Sequence, residues 1–360
     1  MKKLWQTGWR LALCALLLLW IFHCIFVNEA RISHSSADWA RLARMEQWRR
    51  GWTEGPTGLW QTLTSISPGW LAVSVLLMGV TVLLGVIRWR MVLRVHGLEL
   101  SFGRATEISL VAHFFNSFLL GSTGGDLMKA YYAARETHHK KTEAVVTVFV
   151  DRLVGLWAML IFAGVMMIPN ARLMFGNGRI QALASLLILG MLVACSVVAL
   201  LAFRGGVTRR WSGARAWLRR LPKGAALERS LDSCRLFGRV PFFLTRTLLL
   251  SMLLNVVCVV QWQAVGRGLG LVLDPQVLFA VVPLVICIAA LPITPSGLGV
   301  RETLFVTMLN NDAIATSALT LSLLAYAGSL CWSLVGGVVY VLLKDKHHLA
   351  EAELEADAGE

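Results

Sequence analysis

Two turns rich in glycine and proline each precede a cation in otherwise apolar sequence. Gly121-Ser-Thr-Gly-Gly125 is followed by Lys129, and Pro292-Ile-Thr-Pro-Ser-Gly-Leu-Gly299 is followed by Arg301. A helix that starts at such a turn presents free backbone N–H groups and a positive dipole end, which favour an anion. The pattern predicts a cradle for a phosphate-bearing head group at the two turns, Gly121–Gly125 and Pro292–Gly299, with Thr294 among its residues. The alternative is that the glycines permit tight reversals and the cations snorkel to the interfaces.

Further ionisable residues lie where burial makes them costly. Asp151 and Arg152 stand about two turns inside an apolar run. A charged pair at that depth must face a cavity or pair internally, so both are candidate substrate contacts. A structural salt bridge to Lys129 or Glu302 is the alternative. Asp126 and Glu302 follow the two turns and either cap the exit helices or bind a coupling proton or cation.

The remaining polar residues do not form a recognised catalytic arrangement. Asn116 is predicted to contact substrate, whereas His113 is interpreted as a buried histidine with its hydrogen bonds satisfied. The sequence has no Ser-His-Asp set, Walker loop or HExxH motif, and its seven cysteines show no CxxC spacing. We therefore predict no catalytic residue, no metal site and no cofactor.

The composition indicates which elements must position these residues. Hydrophobic residues make up 56% of the 360 residues and charged residues only 15%, against about 25% charged in soluble domains. Six apolar runs reach or approach the roughly 20 residues that cross a bilayer core: Leu11–Val27, Pro68–Ile87, Val145–Ile168, Ala182–Phe203, Thr247–Val265 and Ala313–Leu343. They predict a single transmembrane domain over 1–343 and an acidic cytoplasmic tail over 344–360. The first run is interpreted as a retained signal anchor.

The positions of the basic residues predict the topology. The segment 204–244 holds ten Lys and Arg residues, and the segments 88–105 and 129–142 are also basic, so all three should be cytoplasmic. This placement of the basic residues explains the net charge of +13 without a nucleic-acid partner. Ile108–Leu120, which lies between two cytoplasmic segments, is too short to cross, so a re-entrant helical hairpin is predicted. Both termini are then cytoplasmic.

The second half of the chain repeats the order of the first. Gly125 corresponds to Gly297 and Lys129 to Arg301, at an offset of about 172 residues. We predict an all-α polytopic membrane protein with an inverted repeat, about 8–168 and about 180–343. It would contain about six full transmembrane helices and two re-entrant hairpins, eight hydrophobic helical units in total. Inverted repeats with short, interrupted segments indicate the substrate site of a transporter. Eight ordinary spans are the alternative.

Three blocks resemble the transmembrane region of the lysylphosphatidylglycerol synthase family, which consists of flippase-like membrane proteins. They are FNSFLLGSTGGDLMKAY (115–131), VFVDRLVGL (148–156) and LPITPSGLGVRE (291–302). The sequence departs mildly from the family pattern at Gly121-Ser122, Asp151 and Ser296, which affects geometry more than membership. The resemblance implies that Asn116, Gly124, Gly125, Asp126, Asp151, Arg152, Pro295, Gly297, Gly299 and Glu302 carry function. No soluble synthase domain is expected after Leu343, so the lipid-modifying activity is not carried over.

Three functions remain open at this point. The first is an ATP-independent flippase for an anionic lipid, a polyprenyl-phosphate or a lipid-linked sugar. The second is a membrane-embedded lipid transferase, and the third is a non-catalytic partner of a lipid-modifying enzyme or glycosyltransferase. The expected partner is a lipid with an anionic head group, and the expected location is the bacterial cytoplasmic (inner) membrane.

Overall fold

The computed structural model of the chain describes residues 19, 22–23, 26–27, 29–31, 34–64, 66–118, 123–136, 141–176, 178–204, 236–238, 240, 242–291, 297, 300–309 and 315–342. These residues form helices and contain no strand. The helices are α1 Ser36–Arg41, α2 Arg44–Thr64, α3 Pro68–Val95, α4 Phe102–Phe118, α5 Thr123–Glu136, α6 Lys141–Met167, α7 Ala171–Gly176, α8 Arg179–Arg204, α9 Phe243–Gly268, α10 Pro275–Ala289, α11 Val300–Leu309 and α12 Ala315–Leu342.

Five of the described helices are long and apolar enough to cross a membrane. Their spanning parts are Pro68–Val95, Thr142–Met167, Arg179–Leu200, Phe243–Gly268 and Thr320–Leu342. Each coincides with a run predicted from the sequence, which confirms an all-helical, multi-pass membrane protein. Most of the first predicted run, Leu11–Val27, lies outside the described residues, as do most of 204–244 and all of the tail 344–360.

Helix α3 extends further than its apolar run predicted. It covers 28 residues, or about 42 Å, and ends at Val95, whereas the predicted apolar run ended at Ile87, before Arg88, Arg90 and Arg94. The helix continues because Val92 and Leu93 are fully buried and prolong its packed face past the arginines. The segment 88–105 is therefore helical at both ends, with a short connection before α4.

Four shorter helices form two consecutive pairs, α4 with α5 and α10 with α11, and each pair packs together. Helix α11 has 10 residues, about 15 Å, half of a hydrocarbon core of about 30 Å. Helix α4 begins at Phe102, earlier than the predicted Ile108, because the Ser101 hydroxyl accepts the Arg104 N–H at its first turn.

The pairs pack against long helices from the other half of the chain. Helix α4 packs on α12, and α10 packs on α6, while α3 packs along α9. Small residues permit the α4–α12 approach: a side chain at Gly336 would overlap the carbonyl of Leu110, and the hydroxyls of Ser117 and Ser333 are hydrogen-bonded. A large apolar core surrounds these contacts, so the short pairs are held inside the bundle.

Candidate functional site

A cavity of about 430 Å³ lies where the short helix pairs meet the long helices. Residues of α3, α4, α6, α9, α10, α11 and α12 line it, so both halves of the chain contribute. Arg88, Arg152 and Arg301 are its charged lining residues, and no carboxylate belongs to the described lining. The rest is apolar or neutral polar. The cavity therefore has the charge of an anion site.

The guanidinium of Arg88 is held at the cavity wall by two neighbours. Its Nε donates to Asp151 Oδ1 at 2.8 Å, and its Nη1 donates to the Ser251 hydroxyl at 3.1 Å. The other oxygen of Asp151 accepts from Lys129 Nζ at 3.2 Å, and that ammonium also lies 4.3 Å from the Trp89 ring centroid. Asp151 thus binds two cations, one at the cavity and one behind it.

Arg152 pairs with Asp126 and not with its neighbour Asp151. Its Nε lies 3.5 Å from Asp126 Oδ2, and 43% of the Arg152 side chain is exposed. The expectation of a buried Asp151–Arg152 pair is wrong, because Arg88 and Lys129 bind both oxygens of Asp151, while Arg152 reaches a carboxylate of α5. The alternative reading, a salt bridge from Asp151 to Lys129, is present.

In the second half of the chain, Arg301 is also a cavity-lining arginine that is paired with a carboxylate. Its partner Glu302 belongs to the same helix, α11. Arg301 Nη2 lies 2.6 Å from Glu302 Oε1, and Arg301 Nε donates to the Ser322 hydroxyl at 3.0 Å. The guanidinium lies over the Tyr326 ring, 4.6 Å from its centroid. Glu302 is fully buried, so this carboxylate fixes the guanidinium that reaches the cavity.

The two helices that flank the first predicted turn, α4 and α5, are in close contact. Asn116 Oδ1 accepts the Gly125 N–H at 2.8 Å, so this donor of the predicted cradle is already occupied. A side chain at Gly125 would overlap the Ala112 carbonyl. Gly124 is buried beside it. The close approach of the Ala112 carbonyl explains why glycine is required at position 125.

The second turn is described only at Gly297. This residue has φ 71°, which favours glycine, and a Cβ there would lie 2.7 Å from the Ala289 Cβ. Its carbonyl accepts the Arg301 N–H at 2.9 Å. Thr294, Pro295 and Gly299 lie outside the described residues. Neither Asp126 nor Glu302 is an N-cap, since both lie inside their helices, where each pairs with an arginine.

The predicted site residues that the structure describes divide into three groups. Asn116, Arg152 and Arg301 line the cavity, whereas Asp126, Lys129, Asp151 and Glu302 lie behind it as charge partners. Gly124 and Gly125 lie in the first turn of α5 and Gly297 lies in the second predicted turn, and none of the three lines the cavity. His113 also lines it, and its Nε2 lies 3.2 Å from the Ser329 carbonyl oxygen. In the described part of the chain, no cluster of His, Cys, Asp or Glu is arranged to hold a metal ion.

Several lining residues were missed because they were read as ordinary parts of spans. Arg88 was used only for topology, and Ser251, Asn255 and Gln261 were not singled out, although all line the cavity. Gln261 Nε2 donates to the Ser74 hydroxyl at 2.8 Å and to the Ala325 carbonyl at 3.0 Å. The available signal was the recurrence of polar residues within the apolar helix α9, where Ser251, Asn255 and Gln261 follow one another at intervals of four and six residues. Polar residues inside spans face protein or cavities.

Comparison with known proteins agrees with the architecture. A family model described as Lysylphosphatidylglycerol synthase TM region matches residues 48–336, most of the chain. A search of curated proteins finds no match. The matched range runs from α2 into α12 and includes both short helix pairs and every described charged residue of the cavity.

Proposed function

This chain belongs to the family of lysylphosphatidylglycerol synthase TM regions, and we propose that it is a lipid transporter that moves an anionic lipid between membrane leaflets. A polyprenyl-phosphate or a lipid-linked sugar belongs to the same proposed class of substrates. The proposal needs no ATP, since the lipid moves along its own gradient or that of a coupled ion. We propose no enzymatic activity for the chain.

The cavity with three arginines is the observation that carries this proposal. Its volume of about 430 Å³ lies within the roughly 300–1,000 Å³ of small-molecule pockets. That space accepts a lipid head group, while the acyl chains would stay among the surrounding lipids. Arginine suits phosphate because its planar guanidinium donates two parallel hydrogen bonds to a pair of oxygens.

An inverted repeat would let such a site open to each side in turn. The two halves share an order of elements, and their contacts are reciprocal: α4 packs on α12 as α10 packs on α6, and α3 packs on its counterpart α9. This pattern supports two halves related by a pseudo-two-fold axis. Alternating access in such transporters is a rocking of one repeat against the other around a fixed site. The short pairs would then be re-entrant hairpins that open to opposite sides.

Leaflet exchange of labelled lipids in reconstituted vesicles tests the proposal. We expect exchange of an anionic lipid well above that of protein-free vesicles. Arg152→Gln removes a cavity charge from a half-exposed side chain. Loss of one charge-assisted hydrogen bond of about 1.5–3 kcal/mol should slow exchange by roughly ten- to a hundred-fold.

The matched control is Arg246→Gln, since Arg246 is an exposed arginine of α9 that does not line the cavity. It should exchange lipid at the wild-type rate. Exchange no faster than in protein-free vesicles would refute transport. The appearance of a chemically altered lipid, measured by mass spectrometry of the same vesicles, would instead favour a membrane-embedded transferase.

A further inference from the structure

We propose that the cavity selects a head group with a net charge of minus one, which assigns its ligand to phosphodiester lipids that carry no cationic group. The inference rests on the proposed function, in that the ligand is taken to be a lipid. It comes from the balance of charge among the lining residues and their ion-pair partners.

The balance is uneven because one carboxylate serves two cations. Arg152 has Asp126, and Arg301 has Glu302. Arg88 and Lys129 share Asp151, each bound to a different oxygen of it. Four cations and three carboxylates leave one positive charge without a counter-charge within this described set.

This surplus charge is buried. Side-chain exposure is 13% for Arg88, 11% for Lys129 and 8% for Asp151. In such surroundings an uncompensated charge is costly, and a ligand that neutralises it is favoured. A monoanion makes the set neutral. A dianion would leave a negative surplus, and a zwitterion would leave the positive charge uncompensated.

Head groups differ in the charge they bring. A phosphodiester carries one negative charge, whereas a phosphomonoester carries about −1.5 to −2 at pH 7, and a diphosphate is at least as negative. Phosphatidylglycerol-like lipids and sugars joined to a polyprenol through a phosphodiester therefore fit the cavity. Free polyprenyl-phosphates and polyprenyl-diphosphates fit it less well, which narrows the proposed substrates.

Charge variants behind the cavity test the rule without removing an arginine from its wall. Lys129→Gln makes the set neutral and leaves Asp151 paired with Arg88. Asp151→Asn raises the surplus to two positive charges. The double variant Lys129→Gln/Asp151→Asn restores a surplus of one, while it lacks both original side chains.

The measurement is binding of three lipids to the purified protein in detergent: phosphatidylglycerol, phosphatidic acid and phosphatidylcholine. We expect the wild type and the double variant to bind phosphatidylglycerol more tightly than the other two lipids, with a Kd lower by about tenfold or more. A tenfold difference in Kd corresponds to about 1.4 kcal/mol of binding free energy. Lys129→Gln should lose the preference for phosphatidylglycerol over phosphatidylcholine. Asp151→Asn should prefer phosphatidic acid. Arg246→Gln removes a charge away from the cavity and should keep the wild-type order.

The outcomes separate this inference from the proposed function. If Lys129→Gln keeps the wild-type order, or if the double variant differs from wild type, charge balance does not select the ligand. Asp151→Asn removes the carboxylate that neutralises both Arg88 and Lys129, so it is the variant for which misfolding is most expected. The other two variants decide the question without it. Binding that follows charge in a protein that exchanges no lipid in vesicles would refute transport and leave the charge rule standing.

Discussion

Replacing Arg88 by glutamine should mainly destabilise the protein, whereas replacing Arg152 by glutamine should mainly slow lipid exchange, although both arginines line one cavity. Arg88 is 13% exposed and donates to Asp151 at 2.8 Å and to Ser251 at 3.1 Å. Arg152 is 43% exposed and lies 3.5 Å from an Asp126 that is itself 29% exposed. The first is a buried ion pair, and the second resembles a surface pair.

The magnitudes follow from these surroundings. Breaking a buried ion pair costs about 3–5 kcal/mol of stability. The cost of Arg88→Gln should be at the lower end, about 3 kcal/mol, because Lys129 still neutralises Asp151. An exposed pair contributes about 0–1 kcal/mol, which bounds the stability cost of Arg152→Gln. For larger domains 1 kcal/mol shifts Tm by about 2–4 °C. We therefore expect Arg88→Gln to lower Tm by about 6–12 °C and Arg152→Gln by less than about 4 °C.

Thermal unfolding in one detergent, followed by tryptophan fluorescence, measures both variants beside the wild type. Lipid exchange is then measured well below the lower Tm, where Arg152→Gln should be slow although it is folded. An Arg88→Gln protein as stable as wild type would show that Asp151 does not depend on Arg88. An Arg152→Gln protein destabilised as strongly as Arg88→Gln would show that Arg152 is part of the buried network. Either result would refute the assignment of partners.

Two further predictions concern the short helix pairs. Gly125→Ala should destabilise the protein by about 1–3 kcal/mol, the usual cost of overpacking, because the new methyl group overlaps the Ala112 carbonyl; Gly103→Ala, with open space around it, should be tolerated in the same unfolding assay. In a cysteine-free background, Glu99→Cys and Glu143→Cys should both react with a membrane-impermeant thiol reagent from the cytoplasmic side. Val272→Cys should react from the outside, because the spanning helix α9 separates it from the basic segment 204–244. If the cysteine at 143 is labelled from the outside, the first pair is a crossing and not a re-entrant hairpin.

Much of the architecture could be predicted because the bilayer imposes a strong length and composition rule. A segment of about 20 apolar residues is a span whatever it packs against, so five predicted runs coincide with five helices. The short pairs were also predictable, since α10 and α11 are separated by the Pro- and Gly-rich stretch 292–299. The ends of the helices were less predictable. Helix α3 continues through Arg88 to Val95 because Val92 and Leu93 are buried, and a hydropathy pattern does not show which residues are buried.

The partners of the charged residues could not be predicted in the same way. Asp151 and Arg152 are neighbours in sequence, yet each pairs with a residue from another helix. Arg88 and Asp151 are 63 residues apart, and only the packing of α3 against α6 brings them to 2.8 Å. A sequence records that ionisable groups are present in apolar segments, but their pairing depends on which helix faces meet.

The sequence by itself therefore determined that the chain is a helical membrane protein with two interrupted segments, each followed by a cation. Those properties are local, because the lipid solvent acts on each segment separately. Only the tertiary structure decided which cations reach the cavity and which lie behind it. Lys129 and Arg301 occupy matching positions in sequence, but Lys129 lies behind the cavity against Asp151 and Trp89, while Arg301 lines it. The difference arises because a side chain's surroundings come from helices distant in sequence, and those helices differ between the two halves.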